Sequence, residues 1–311
     1  MSDTTDIEWC DRTWSPWEGC QKVSPACDFC YAEARNNRFA GGRNWGPGAP
    51  RRKTVDWTKP RLWNRNAERD GVRISVFPSI CDPFDNAVPD EWREEFFELI
   101  RVTPNLEWLL LTKRPQNIIR MVRRSGAIAG NGTLYLPNNV RLGTTAEDQE
   151  RANLNLPHLM ATRDELGAQS LFVSIEPMLG VVDLTRVIHP TMRQRDAVDP
   201  FVAYDVLRGH MIGPDDVGLA KLDWVITGGE SGPHARPSNP QWFRDIRDQC
   251  AAVGVRYLHK QNGEFASVSE VSGTGAHHTF DDGRAVRRVG KGLAGRLLDG
   301  VQYDGYPEAL A

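Results

Sequence analysis

Residues 106–115 read Leu106-Glu107-Trp108-Leu109-Leu110-Leu111-Thr112-Lys113-Arg114-Pro115, an apolar run that closes on a hydroxyl, two cations and a proline. A short, nearly continuous apolar run bounded by a turn signal is the mark of a strand buried on both faces, as in a parallel sheet. The pattern recurs along the chain. Apolar runs occupy Ile74 to Ile80, Leu106 to Leu111, Val140 to Thr144, Ser170 to Ile175, Trp224 to Thr227 and Val255 to His259, and a first strand is expected near Trp14. Helix-like stretches lie between them. Asp90 to Arg101 carries Trp92, Phe96, Phe97 and Ile100 at helical spacing behind Pro89. Asn239 to Gly254 offers an Asn cap, Pro240 in the first turn, a stripe of Trp242, Ile246, Cys250 and Val253, and a Gly stop. Cys250 therefore reads as a core residue.

Strands alternating with helices predict an α/β fold, a partial or complete (β/α) barrel over residues 1–262. Polar residues gather where each run ends. Cys81-Asp82-Pro83-Phe84-Asp85 follows the second strand and Thr112-Lys113-Arg114 the third. Thr144-Thr145-Ala146-Glu147-Asp148 follows the fourth, Glu176 the fifth, Gly228-Gly229-Glu230-Ser231 the sixth and Lys260-Gln261-Asn262-Gly263 the last. Barrels collect binding groups at C-terminal strand ends, so six successive polar ends predict a common pocket at the mouth. Residues 186–220, with Pro190, Pro200, Gly209 and Pro214, break the rhythm and read as an insertion. Residues 263–311 form a C-terminal extension, Gly- and Ser-rich through His277-His278 and then basic from Arg284 to Arg296. It is expected to cover part of the mouth or to bind a partner, with the paired His as surface residues.

A chain of 311 residues is long enough for a core that needs no disulfides. Six cysteines, three clustered and three scattered at Cys10, Cys81 and Cys250, do not form a secreted disulfide framework. The N-terminus is acidic without an apolar core, and no run approaches the ~18 apolar residues of a membrane span. The expectation is a cytoplasmic protein with no membrane partner.

Residues 19–31, Gly-Cys-Gln-Lys-Val-Ser-Pro-Ala-Cys-Asp-Phe-Cys-Tyr, place thiols at Cys20, Cys27 and Cys30. A Cys-x2-Cys pair wraps a tight turn around a metal while Cys20 closes the loop. No His precedes His158 and Cys10 lies beyond a Trp-rich stretch, so a fourth local zinc ligand is not evident. Three thiolates with one open position suit a [4Fe-4S] cluster whose fourth iron binds a small ligand. A zinc site completed by a distant residue, and three unrelated buried cysteines, are the other readings.

These residues resemble known families. Gly19-Cys20 followed by Cys27, Phe29, Cys30, Tyr31 and Ala32 resembles the cluster loop of radical S-adenosylmethionine (SAM) enzymes, in particular the spore photoproduct lyase-like branch of DNA repair photolyases. That branch spaces its first two cysteines by three residues, where this chain has six. Over nearly its whole length the chain is identified as a member of the phage Gp37/Gp68 family (DUF5131). The blocks that carry this are Ile7-Glu8-Trp9, Trp14 to Glu33, Leu111 to Pro115, Ser174 to Pro177, Gly228 to Gly232 and Ala294 to Gly300. The resemblance implies a radical SAM-type barrel, a [4Fe-4S] cluster on Cys20, Cys27 and Cys30, S-adenosyl-L-methionine as cofactor and an electron donor as partner. It also implies Phe29 packed near the adenine, and Asp82 and Lys113 lining the cofactor side. Gly228-Gly229-Glu230 does not inherit the methionine-binding role of the radical SAM Gly-Gly-Glu, which follows the second strand in those enzymes. Here a Gly-rich strand end lets backbone approach a ligand. Family members are associated with a three-Cys-motif partner protein.

Lys113 and Arg114 would meet a carboxylate or phosphate, or else form a salt bridge to Asp82 or Glu147. Glu176 and Glu230 need a ligand or a cation such as Lys113 or Lys260. Thr144 and Thr145 are ligand candidates, with Thr145 an equally good helix cap. Candidate cofactor contacts are therefore Phe29, Asp82, Lys113, Thr144, Glu176, Gly228, Gly229 and Glu230. Candidate substrate contacts are Arg114, Arg51, Arg52, Trp57 and Lys260, and no catalytic residue is singled out.

The net charge of -3 hides an asymmetry: residues 31–69 hold ten Arg and Lys against three acids, interleaved with Phe39, Trp45, Trp57 and Trp63. Cations alternating with aromatics suit nucleic acid, and they equally suit a solvated excursion pinned to the barrel by its Trp residues. The leading reading is a radical SAM enzyme acting on nucleic acid or a nucleotide in a phage or mobile-element context. Its alternatives are a non-catalytic metal-stabilised adaptor working with the three-Cys-motif partner, and a barrel hydrolase using Asp82, Asp85, Glu147, Glu176 and Glu230. No compact carboxylate motif supports the last.

Overall fold

The computed structural model describes residues 5–125, 136–188, 203–212 and 218–310. Seven strands form one sheet in chain order: β1 (Arg12–Thr13), β2 (Ile74–Phe77), β3 (Leu106–Thr112), β4 (Val140–Thr145), β5 (Ser170–Ile175), β6 (Trp224–Gly228) and β7 (Arg256–Gln261). Pairings between neighbours are parallel. Parallel neighbours need crossovers, and helices supply them: α1 (Tyr31–Ala40) and α2 (Thr58–Asp70) before β2, α3 (Asp90–Arg101), α4 (Ile118–Arg124), α5 (Gln149–Leu166) and α6 (Pro240–Ala251). A parallel sheet whose spatial order follows the chain is the topology of a partial (β/α) barrel. Among the described residues no helix is long and apolar enough to cross a membrane.

The chain divides into two compact units: Met1–Thr144 with Ala161–Leu171 and Glu308–Ala311, and Thr145–Met160 with Phe172–Pro307. The core of the first is aromatic. Trp14, Trp17, Phe96 and Trp108 are fully buried. Edge-to-face rings link them, Phe96 to Trp108 at 5.3 Å, Trp17 to Phe96 at 5.9 Å and Trp14 to Trp108 at 5.9 Å. Helix α3 buries Arg93, Phe96, Phe97 and Ile100 at helical spacing. Arg93 is the polar member of that stripe, and its guanidinium donates to the carbonyls of Pro83 and Asp85 and to Asp90.

The second unit packs α6 on β6 and β7. Asn239 Oδ1 accepts from the Gln241 amide at 3.0 Å and Pro240 fills the first turn, so the expected cap is present. The buried face holds Phe243, Ile246 and Cys250, while Trp242 is half-buried against Phe280. Phe243 thus replaces Trp242 in the expected stripe. Both sit at legitimate helical spacing from Ile246, so periodicity alone does not choose between them.

The C-terminal extension is more ordered than its composition predicts. Phe265–Ser267, Ala285–Arg288 and His277–Thr279 form a small antiparallel sheet. His277 and His278 are exposed on it, with Arg287 Nε donating to His277 Nε2 at 2.9 Å. Of the expected insertion 186–220, residues 189–202 and 213–217, with Pro190, Pro200 and Pro214, lie outside the described residues. Its described part includes the strand pair Ala203–Asp205 and His210–Ile212.

His259 on β7 is fully buried. Asn262 Nδ2 donates to the carbonyls of Ala294 and Leu297, which leaves Asn262 Oδ1 to accept from His259 Nε2 at 3.0 Å. Nδ1 then accepts from Thr227 Oγ1 at 3.1 Å. Burial pushes the imidazole down to about 4 from 6.5. Between those values the unfolded chain binds the extra proton and the folded one does not. Stability from this group is complete above pH 6.5 and is lost as pH falls to about 4, on the order of 3 kcal/mol. Thermal melts across that window are expected to show a decline for the wild type and a shallower one for His259→Gln. Equal slopes would remove His259 as the cause.

Candidate functional site

The cysteine loop is carried on an extension of β1. Beyond that strand the chain runs beside β2, with the Trp14 amide donating to Phe77 O at 3.2 Å and the Gly19 amide to Ile80 O at 3.3 Å. Gly19 has φ +121°, and a Cβ there would lie 2.4 Å from Asn44 O, so only glycine fits. Cys20 follows, half-buried, its carbonyl accepting from Gly46 N at 2.9 Å. Cys27 is buried at the end of a short 3-10 turn, with Sγ 4.0 Å from Ser24 Oγ. Cys30 is half-buried immediately before α1, and its carbonyl accepts from Ala34 N. Phe29 stands exposed between the last two thiols.

Across from Cys20 lies a buried ion pair from the next two strand ends. Asp82 Oδ1 accepts from Phe84 N at 2.9 Å and from Thr112 Oγ1 at 2.7 Å. Its Oδ2 accepts from Arg114 Nη1 at 2.7 Å and from Lys113 N at 3.3 Å. The same guanidinium reaches the loop, with Nη2 donating to Gln21 O at 2.9 Å and Nη1 to Cys20 Sγ at 3.5 Å. Burial pushes the Cys20 thiol up to about 11, Asp82 adds to the rise, and Arg114 opposes it. Burial also pushes the neighbouring Cys81 thiol well up.

The thiols share one loop but are not gathered. Among the described residues no group of three or more His, Cys, Asp or Glu side chains forms a metal-binding set. The donor types are nevertheless those an iron-sulfur site uses: three soft thiols in one loop, and a buried guanidinium that donates to the Cys20 sulfur. Binding there would displace the Cys20 proton.

The basic stretch turns out to be divided. Arg51 is buried, its Nε on Asp85 at 2.6 Å and its Nη1 on Ala49 O at 2.8 Å. Glu18, also buried, accepts from Asn36 and pairs with Arg35 and Arg52. Burial works against its charge, but those bonds hold its carboxyl below the usual range. Trp57 is half-buried, edge-on to Trp14 at 5.2 Å, with Lys53 over its face. Thr144 is fully buried and donates to Thr112 O, tying β4 to β3.

The remaining predicted residues form a cluster in the second unit. Glu176 Oε1 accepts from Lys260 Nζ at 2.5 Å and from Gln261 Nε2 at 3.4 Å. Gly228 gives that carboxylate room, since a Cβ there would come within 3.1 Å of Glu176 Cδ. Gly229 is held against Asn262 O, where a Cβ would lie at 2.1 Å. Glu230 pairs with Arg236 through bonds of 2.7 and 2.8 Å. Thr145 is not the helix cap: Asp148 Oδ1 accepts from Arg151 N at 2.8 Å directly before α5.

Sequence reading missed Glu18, Asn36 and Gln261 as interior polar partners. Gln261 beside Lys260 at a strand end was the one visible signal. A protein-family model described as "Protein of unknown function (DUF5131)" matches residues 4–307. No curated protein and no solved structure matches the chain.

Removing Arg114 leaves Asp82 buried and uncompensated, a loss of about 3–5 kcal/mol. Arg114→Ala is expected to lower the urea midpoint accordingly. Arg114→Lys should recover only part of it, because one ammonium cannot serve Asp82, Gln21 and Cys20 with the geometry of a fork. Full recovery by lysine would contradict the network.

Proposed function

The chain belongs to the DUF5131 family, and from that premise we propose that it is an iron-sulfur enzyme of the radical SAM type acting on nucleic acid. One observation carries the reading. The three-thiol loop leaves the sheet where Asp82 and Arg114 leave theirs, and Arg114 donates to Cys20 Sγ. Parallel strands in chain order support it, since barrels of that topology bind their ligands at these ends.

In this reading Cys20, Cys27 and Cys30 hold a [4Fe-4S] cluster with one iron open to S-adenosyl-L-methionine. Such a cluster would supply one-electron reductive cleavage of the bound sulfonium, with the electron coming from an external donor and methionine leaving. The protein's own residues position and shield. Arg114 and Asp82 fix Cys20 and exclude water from its inner side. Phe29, exposed beside Cys30, offers a flat apolar face to an adenine ring. Lys113, half-exposed at the same strand end, is placed to meet a carboxylate.

Anaerobic reconstitution with iron and sulfide, followed by EPR of the reduced protein, tests this. The expected result is a [4Fe-4S] signal that changes on adding S-adenosyl-L-methionine and is lost in Cys30→Ala. Zinc alone, or a cluster indifferent to S-adenosyl-L-methionine, would overturn it in favour of the metal-stabilised adaptor working with a three-Cys-motif partner protein.

A further inference from the structure

Helix α1 turns two unlike faces outward and inward. Its buried side is small and polar: Ala32, and Asn36 bonded to Glu18. Tyr31, Ala34, Arg35, Arg38 and Phe39 are all exposed. At 100° per residue these five fall within one stripe about 140° wide. The two aromatic ends are exposed, Phe39 by 69% and Tyr31, whose hydroxyl donates to Ser79 O, by 57%, and Phe29, 42% exposed, stands just ahead of the helix. Between them the guanidinium carbons of Arg35 and Arg38 lie 5.6 and 5.1 Å from the Phe39 ring centroid.

We propose that this stripe is a docking platform for single-stranded nucleic acid, with bases stacked on Phe39 and Tyr31 and phosphates met by Arg38 and Arg35. The inference rests on the nucleic-acid part of the function proposed above and gives it a place and a strandedness. Three observations carry it. Aromatic faces in water lose apolar surface when a base stacks on them, and every base has such a face. The charge is complementary, since Glu33 is neutralised by Lys22, and the single buried Glu18 is shared by Arg35 and Arg52. Arg38 and Arg43 add positive charge at the C-terminal end of the helix, where Arg43 donates to Ala40 O. The dimensions also agree. Tyr31 and Phe39 are about 12 Å apart along the axis, a span of about three nucleotides of strand. A duplex keeps its bases stacked internally and offers no face to these rings, which selects an unpaired strand.

Four of the other cations of residues 31–69 have different work. Arg51 is buried on Asp85, Lys53 is paired with Glu95, Arg69 with Asp70, and Lys59 lies over Trp63. The nucleic-acid surface is therefore narrower than the basic stretch that suggested it, and it lies beside the cysteine loop.

The test is fluorescence anisotropy with a short labelled oligothymidylate, the matching oligouridylate and a DNA duplex of the same length, at salt from about 50 to 200 mM. The wild type is expected to bind both single strands more tightly than the duplex. Phe39→Ala should weaken single-strand binding about tenfold without changing the salt slope. Arg38→Ala should reduce that slope by about one. Arg65→Ala, an equal loss of charge from the exposed side of α2, should change neither, and unchanged melting temperatures confirm the fold of each variant. Binding that ignores Phe39, or that Arg65→Ala weakens as much as Arg38→Ala, overturns the platform while leaving nucleic acid as substrate. No binding of any strand at low salt overturns the nucleic-acid reading itself.

Discussion

Asp82 is the constraint on which the first unit depends. Its two oxygens receive four hydrogen bonds, from Phe84 N, Thr112 Oγ1, Lys113 N and Arg114 Nη1. One carboxylate thereby fixes the turn after β2 and the end of β3, and Thr144 carries the tie on to β4 through Thr112 O. Arg114 extends the same network to Gln21 and Cys20, so the cysteine loop is set by a charge that sits two strands away. A buried pair of this kind is weak evidence for stability, because desolvation offsets much of the attraction. What it supplies here is position: a fork of fixed geometry has one arrangement that satisfies all its acceptors.

Much of the fold was legible in the sequence for a physical reason. Strands buried on both faces read as apolar runs, and all seven are present, with bounds no more than three residues from those expected. Helix α3 has the expected bounds, and the Asn239 cap is in place, because capping and amphipathic spacing are local properties. Three readings did not survive contact with packing. Phe243 is buried where Trp242 was expected, Asp148 caps the helix for which Thr145 was one candidate, and a small sheet occupies the Gly-rich extension.

The site was legible in residue types and less so in partners. Spacing put Cys20, Cys27 and Cys30 on one loop, and strand ends singled out Asp82, Arg114, Glu176 and Lys260. Which charge neutralises which is a long-range property: Arg51 finds Asp85, and Arg52 finds Glu18, each 34 residues away. A count of cations along residues 31–69 therefore overstates the charge available to a ligand. The burial of Arg51, the sharing of Glu18 and the exposure of Arg38 and Phe39 emerge only when the chain is folded.

Cluster binding by Cys20, Cys27 and Cys30 is the central proposal. The most direct measurement is iron, zinc and acid-labile sulfide in protein purified without oxygen, for the wild type, Cys20→Ala and Cys250→Ala. The account predicts about four iron and four sulfide per chain in the wild type, the same in Cys250→Ala, whose thiol lies in the core, and a collapse of both in Cys20→Ala. Stoichiometric zinc without sulfide, or iron that survives the loss of Cys20, would contradict it.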